Sequence, residues 1–198
     1  MTEPADIPSP ERVLDAGALR ALAHPLRVRM YDILSQFGPQ TASSLAQLTG
    51  ESSGATSYHL RALAKHDLIR EVAGRGSARE RWWERPRGSV SFTNPAVMKT
   101  PSGRAATQVI MSEFLNRRHQ QLMRYVGDSI KTPEDLYDAA AVISSTTIRV
   151  TEEQARELAE QLTKVLSDAS DRFRDQEGEG VVPFSLRVDL FPLPPESN

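Results

Sequence analysis

A chain of 198 residues with 25% charged and 39% apolar side chains can form one large domain or two small ones, with a core that needs no covalent staples. It has no cysteine, which excludes disulfides, thiolate metal sites and cysteine nucleophiles together and fits an intracellular protein. The formal net charge of −2 conceals an asymmetry: residues 51–87 hold eight Lys/Arg against five Asp/Glu, whereas residues 132–198 hold six against fourteen.

The opening "MTEPADIPSP" has neither a basic start nor an apolar run, so no signal peptide is expected. No stretch approaches the roughly 18 unbroken apolar residues of a membrane span. The expectation is a cytoplasmic protein with no membrane attachment. Residues 1–12 carry three prolines and read as a flexible arm. "LDAGALRALA" is a short helix with Leu14, Ala18, Leu19 and Leu22 on one side. Pro25 disfavours a helical His24 yet suits the first position of the next helix, "PLRVRMYDILSQF". Leu26, Met30, Ile33, Leu34 and Phe37 are its expected buried face, and Gly38-Pro39 stops it. Thr41 is placed to cap "ASSLAQLTG", with Leu45 and Leu48 inward and Gly50 at the end.

After a three-residue turn, Ser52 or Ser53 caps a helix running to about His66. Thr56, Leu60 and Leu63 fall on its inward face, and Ser53, Gly54, Ser57, Tyr58, Arg61 and Lys65 on its outward face. "LIREVA" and "ARERWWER" are expected strands around a "GRGS" turn. Alternation puts Arg79, Arg81, Trp83 and Arg85 on one face, and Glu80, Trp82 and Glu84 on the other. One tryptophan is expected to pack the sheet onto the helices while the other stays partly exposed. A loop follows, then a long helix over about 102–129 with Ile110, Phe114, Leu115, Leu122, Met123, Tyr125 and Val126 as its apolar side. "TPEDLYDAA" begins another short helix and "AVISSTTIRV" is a candidate strand. "TEEQARELAEQLTKVLSDASDRFRD" opens with a Thr151–Gln154 capping box, and "FSLRVDLFPL" is a closing alternating strand.

Two short helices, a tight turn, a third helix and a basic hairpin follow the order of a winged helix-turn-helix. The third helix fits a major groove only if its leading residues let backbone approach phosphate, and "SSGATS" (Ser52, Ser53, Thr56 and Ser57) meets that need. Tyr58 and Arg61 add reach to base edges or backbone. Arg75 near the wing tip, with Arg79 and Arg81 behind it, is placed to pair with phosphates.

"LRALAHPLRVRMYDIL", "TASSLAQLTG" and "GATSYHLRALAKHDLI" resemble the ArsR-type winged-helix transcription regulators of bacteria. The resemblance spans about residues 14–85. It rests on an Ala-(Asp/His)-Pro-x-Arg-x-x-(Ile/Met)-x-x-x-Leu helix followed by Ser-x-His-Leu-x-x-Leu in the recognition helix. The tail resembles that of a longer, actinobacterial-type subgroup. Metal-sensing members carry a Cys-x-Cys pair before the recognition helix or His/Asp/Glu ligands on a C-terminal helix. "TASSLAQLTG" has no thiol. His59 and His66 lie about 10 Å apart by helical rise, too far to share one ion, and Glu113 and His119 fall on different faces. The resemblance therefore implies DNA binding and gives no support for metal sensing.

The expected fold class is α+β, mainly α. A flexible arm (1–12) precedes a winged helix-turn-helix domain (13–88). A dimerisation and effector-binding region (100–198) follows, made of a long helix and a strand–helix–strand tail. The expected function is a homodimeric, non-enzymatic repressor of an operator in double-stranded DNA, with no cofactor and no metal. A small organic effector would lie against Phe114, Met123 and Tyr125. The second reading is a protein-interaction module that keeps the winged helix as scaffold and binds a partner through its acidic tail.

Overall fold

The computed structural model describes residues 12–77, 80–131, 141–174 and 176–194. The chain divides into two compact units, Met1–Ala139 and Ala140–Asn198.

In the first unit, β1 (Arg12–Val13) leads into α1 (Ala16–Leu22). Asp15 caps α1, accepting from the Ala18 N–H at 2.8 Å, a bond that holds its carboxyl below the ordinary value. Helix α2 (Pro25–Phe37) begins on the expected proline, with His24 as its cap. Gly38 ends α2 at φ 71°, a region any other residue enters at a cost. β2 (Gln40–Thr41) follows, then α3 (Ala42–Thr49), whose Thr41–Ser44 capping box and left-handed Gly50 fix both ends. Ser52 caps α4 (Ser53–Ala64). Leu14, Leu19, Leu22, Met30, Leu45, Leu60, Leu63, Leu68, Ile69 and Ile110 close the core almost completely to solvent. Phe37 and Leu48, expected inside, are about half exposed, while Val28 and Tyr31 take the buried places on α2.

β3 (Arg70–Ser77) and β4 (Glu80–Glu84) pair antiparallel, and β2 joins the other edge of β4, giving the order β2-β4-β3. The "GRGS" run is not the turn. Gly76 pairs with Arg81 and Ser77 with Glu80, and an irregularity between Glu71 and Gly76 absorbs the glycines inside the strand. Trp83 is buried and Trp82 half-buried, the division expected from their alternation. Arg12, assigned to the loose arm by its sequence, is ordered: β1 pairs in parallel with β5 (Val90–Ser91), and the Arg12 guanidinium donates to the carbonyls of His66 and Asp67. Extended backbone there finds a partner strand, which composition alone does not reveal.

Helix α5 (Pro95–Met98) precedes the long α6 (Pro101–Lys131). Gly103 lets α6 cross α5 closely, because a Cβ there would stand 2.1 Å from the Val97 carbonyl oxygen. Gly103, Ala106, Thr107, Ile110 and Phe114 bury the first half of α6 against α1 and α2. The apolar side expected to continue through Leu115, Met123 and Tyr125 is exposed in the single chain. A polar ladder adds to the grip: Asp32 is buried on α2, receives Arg117 from α6 and accepts from Gln36, whose amide oxygen in turn accepts from Gln121 at 2.8 Å.

In the second unit α7 (Glu152–Phe173) opens with the expected Thr151–Gln154 box. The flanking stretches differ from expectation. Residues 141–150 and 181–194 form no strand, and Val142, Phe184 and Phe191 stand open to solvent. β-branched alternation reports a fit to a pleated, half-buried surface, and a strand exists only where a ladder partner is present. Neither stretch has such a partner among the described residues. The short helix expected from "TPEDLYDAA" lies outside the described residues.

Candidate nucleic-acid interface

α3 and α4 form the helix-turn-helix, and packing fixes how α4 is rolled. Leu60 and Leu63 anchor one face. Thr56 belongs with them: expected at the interface, it is fully buried, and its hydroxyl donates to the Ala42 carbonyl at 2.8 Å and to carbonyls of its own first turn. A small hydroxyl residue at a helix start serves equally as groove contact and as a bond to the preceding helix, and here the second use wins.

With that face locked, the opposite face is solvent-exposed. It presents Ser53, Gly54, Tyr58 and Arg61, with Ser57 half-buried at its margin. Ser52 is also exposed, and its Oγ accepts from the Ala55 N–H at 3.1 Å. Tyr58 is 65% exposed, so its phenol reaches outward from the middle of the helix.

On the wing, the Arg75 guanidinium lies 3.7 Å from the centroid of the Trp82 ring, a cation–π contact that holds it in place. Gly74 and Gly76 flank it with positive φ values of 72° and 97°. Arg81 reaches Glu71 at 3.5 Å, an exposed pair of little energetic worth that a phosphate oxygen can displace. Arg85, on the same face as the buried Trp83, lies inward: its Nε donates to the Tyr31 hydroxyl at 2.9 Å. Arg79 lies outside the described residues. The structure thus brings Ser52, Ser53, Ser57, Tyr58 and Arg61 together on α4, and Arg75 and Arg81 together on the wing.

Three further side chains stand where α2 begins beside α4. The His24 and His59 rings are 4.6 Å apart, Tyr58 meets His59 edge-on at 5.2 Å, and burial lowers the Arg27 guanidinium from its ordinary value with Tyr58 opposing the shift. Burial pushes the His59 imidazole below its ordinary value, with His24 and Arg27 adding to the shift and Glu51 opposing it. The signal in the sequence was the His-Pro-x-Arg run, legible as a helix start but not as a neighbour of the recognition helix.

The expected effector contacts do not converge. Phe114 is buried and stacks on Phe92 at 4.9 Å, while Met123 and Tyr125 are exposed farther along α6. Phe114 and Met123 are nine residues apart, about 2.5 turns, which sets them on opposite sides of the helix. Among the described residues no helix is long and apolar enough to cross a membrane.

Residues 22–72 match the family described as a helix-turn-helix domain. No curated protein matches the chain. Among solved structures it is similar to a possible transcriptional regulator for arsenical resistance, with 26% identity over 58% of this chain and 97% of that one, at a TM-score of 0.32. It is also similar to RV1404 from Mycobacterium tuberculosis, with 18% identity over 78% of this chain and 83% of that one, at a TM-score of 0.30. The matched helices, the outward face of α4 and the wing behind it make the N-terminal part of this chain a winged helix-turn-helix domain, the DNA-binding module of a transcriptional regulator.

Proposed function

We propose that the protein is a homodimeric repressor that binds an operator in double-stranded DNA and does not respond to metal ions. Residues 13–88 contact DNA, with the outward face of α4 in the major groove and the wing on the flanking backbone. Residues 100–198 supply the dimer contact and any effector site. The observation that carries this reading is the division of α4 between a face locked by Thr56, Leu60 and Leu63 and an open face bearing Ser53, Tyr58 and Arg61.

The exposed apolar residues Val109, Met111, Leu115, Met123 and Ile130 favour pairing of α6 with its copy, which would set the half-site spacing. The chemistry of the chain favours an organic effector over a metal ion. It has no thiolate and only four histidines, and Met123 and Tyr125 offer exposed apolar surface. Enrichment of bound sequences from a random duplex pool tests the reading. A recovered site with two inverted half-sites supports a dimeric operator-binding protein, and recovery of no preferred sequence overturns it. Repression is read from a reporter placed behind the recovered site.

A further inference from the structure

Arg27 differs in its surroundings from seven other arginines of the first unit. Arg12, Arg29, Arg70, Arg81, Arg85, Arg104 and Arg117 each donate to a carbonyl, a carboxylate or a phenol. Arg27 forms no ion pair among the described residues, and its Nε is buried without a hydrogen-bond partner. The Nδ1 of His59 is likewise buried and unpartnered. A partly desolvated cation with no acceptor is costly, and the cost is relieved by an anion. His24 contributes a third donor. Its Nδ1 accepts from the Leu26 N–H at 3.2 Å, so in the neutral ring Nε2 carries the proton.

We propose that His24, Arg27 and His59 form a binding site for one phosphodiester of the DNA backbone, beside Tyr58 at the flank of the recognition helix. The proposal rests on the DNA-binding reading above and adds an anchor on α2 to the α4 and wing contacts. The chemistry fits a phosphate. Arg27 supplies a planar fork, His24 and His59 supply ring donors, and none of the three is already spent on a carboxylate.

Binding at this site is coupled to protonation. His59 is faced by His24 and Arg27 from α2, by Tyr58 from its own helix, and by Glu51 from the preceding turn. Burial, with His24 and Arg27 adding to it, opposes a proton on His59 in the free protein, whereas a phosphate favours one. DNA binding therefore takes up a proton, and affinity rises as pH falls toward the range where free His59 begins to protonate.

The test measures fluorescence anisotropy of a duplex recovered from the random pool, between about pH 5.5 and pH 8 and over a salt series, for the wild type and three variants. Arg27→Gln is expected to lower the salt slope by about one unit. Wild-type affinity is expected to rise severalfold toward low pH, bounded by about tenfold per pH unit for one proton, and His59→Gln to flatten that profile. His24→Asn keeps a good helix cap while removing the ring donor, and is expected to weaken binding without lowering the melting temperature. Should Arg27→Gln fail to fold, Arg27→Lys, which keeps charge but loses the fork, takes its place and is expected to bind several-fold more weakly. For a folded Arg27→Gln an unchanged salt slope overturns the assignment, as do wild-type affinity in Arg27→Lys or superimposable wild-type and His59→Gln pH profiles. Failure of the wild type to bind any duplex overturns the DNA-binding reading itself, a different result from wild-type binding that the variants leave untouched.

Discussion

Asp32 of α2 and Arg117 of α6, separated by 85 residues in sequence, meet as a buried ion pair and fasten the long helix to the helix that precedes the DNA-binding pair. Gln36 also donates to the Asp32 carboxylate, so both partners of a desolvated charge are provided for. Arg117→Met removes one partner and leaves the carboxylate buried. We expect a loss of about 3–5 kcal/mol in stability, read as a shift in the urea midpoint. Lys131→Met, at an exposed pair with Asp128, should leave it almost unchanged. Equal shifts for the two would contradict the buried role of Asp32.

Gly76→Ala is expected to disrupt the wing. Its φ of 97° is unfavourable for alanine, and the added Cβ would stand 2.1 Å from the Glu80 carbonyl oxygen. Gly74→Ala has the same sign of φ but open space around it, and should cost only about 1 kcal/mol. Gly76→Ala should therefore weaken DNA binding and lower its salt slope far more than Gly74→Ala. Matching slopes would mean that wing geometry does not govern the contact.

Tyr58→Ala and Arg61→Ala remove exposed side chains, so the fold should be unaffected. Preference at individual base pairs should relax by about 1–3 kcal/mol. Sequence selection repeated with each variant measures this directly, and recovery of the wild-type site would place the helix elsewhere.

Thr56→Val should do the reverse. It keeps shape but deletes the donor to Ala42, leaving that carbonyl short of a partner at the α3–α4 contact. A stability loss of about 1–3 kcal/mol with an unchanged selected site is the expected outcome. A changed site with unchanged stability would return Thr56 to the interface.

Zinc, nickel, copper or arsenite at micromolar levels should leave operator affinity unchanged, because soft and borderline ions need thiolates or converging imidazoles. Titration calorimetry with zinc is the check. Tight stoichiometric binding that His119→Ala abolishes, together with loss of DNA affinity, would overturn the metal-independent reading.

Local chemistry was what the sequence made legible. Thr41, Ser52 and Thr151 cap helices where hydroxyl residues preceded apolar periodicity, and Pro25 starts α2 as its fixed φ dictates. What depends on distant chain was hidden. Asp32 reads as a solvated helix residue until α6 brings Arg117, and Arg12 reads as loose arm until residues 89–91 supply a strand. Arg85 shares the face of the buried Trp83, but its partner there, the Tyr31 hydroxyl of α2, could not be read from β4. Thr56 shows the limit of reading faces by spacing, since its periodicity with Leu60 and Leu63 and its place among small residues pointed to opposite roles. The tail strands failed for a related reason, because alternation describes a surface that needs a neighbour and no neighbouring strand follows from it.

The placement of the two tryptophans, the only ones in the chain, has an optical consequence. Both sit on β4, one sealed in the core and the other beneath the Arg75 guanidinium. Emission from Trp83 should be constant, so any change in intrinsic fluorescence on adding duplex reports Trp82 losing or keeping its cationic cover. The protein thus carries an unlabelled gauge of wing engagement, separable from α4 by choosing which variant is titrated.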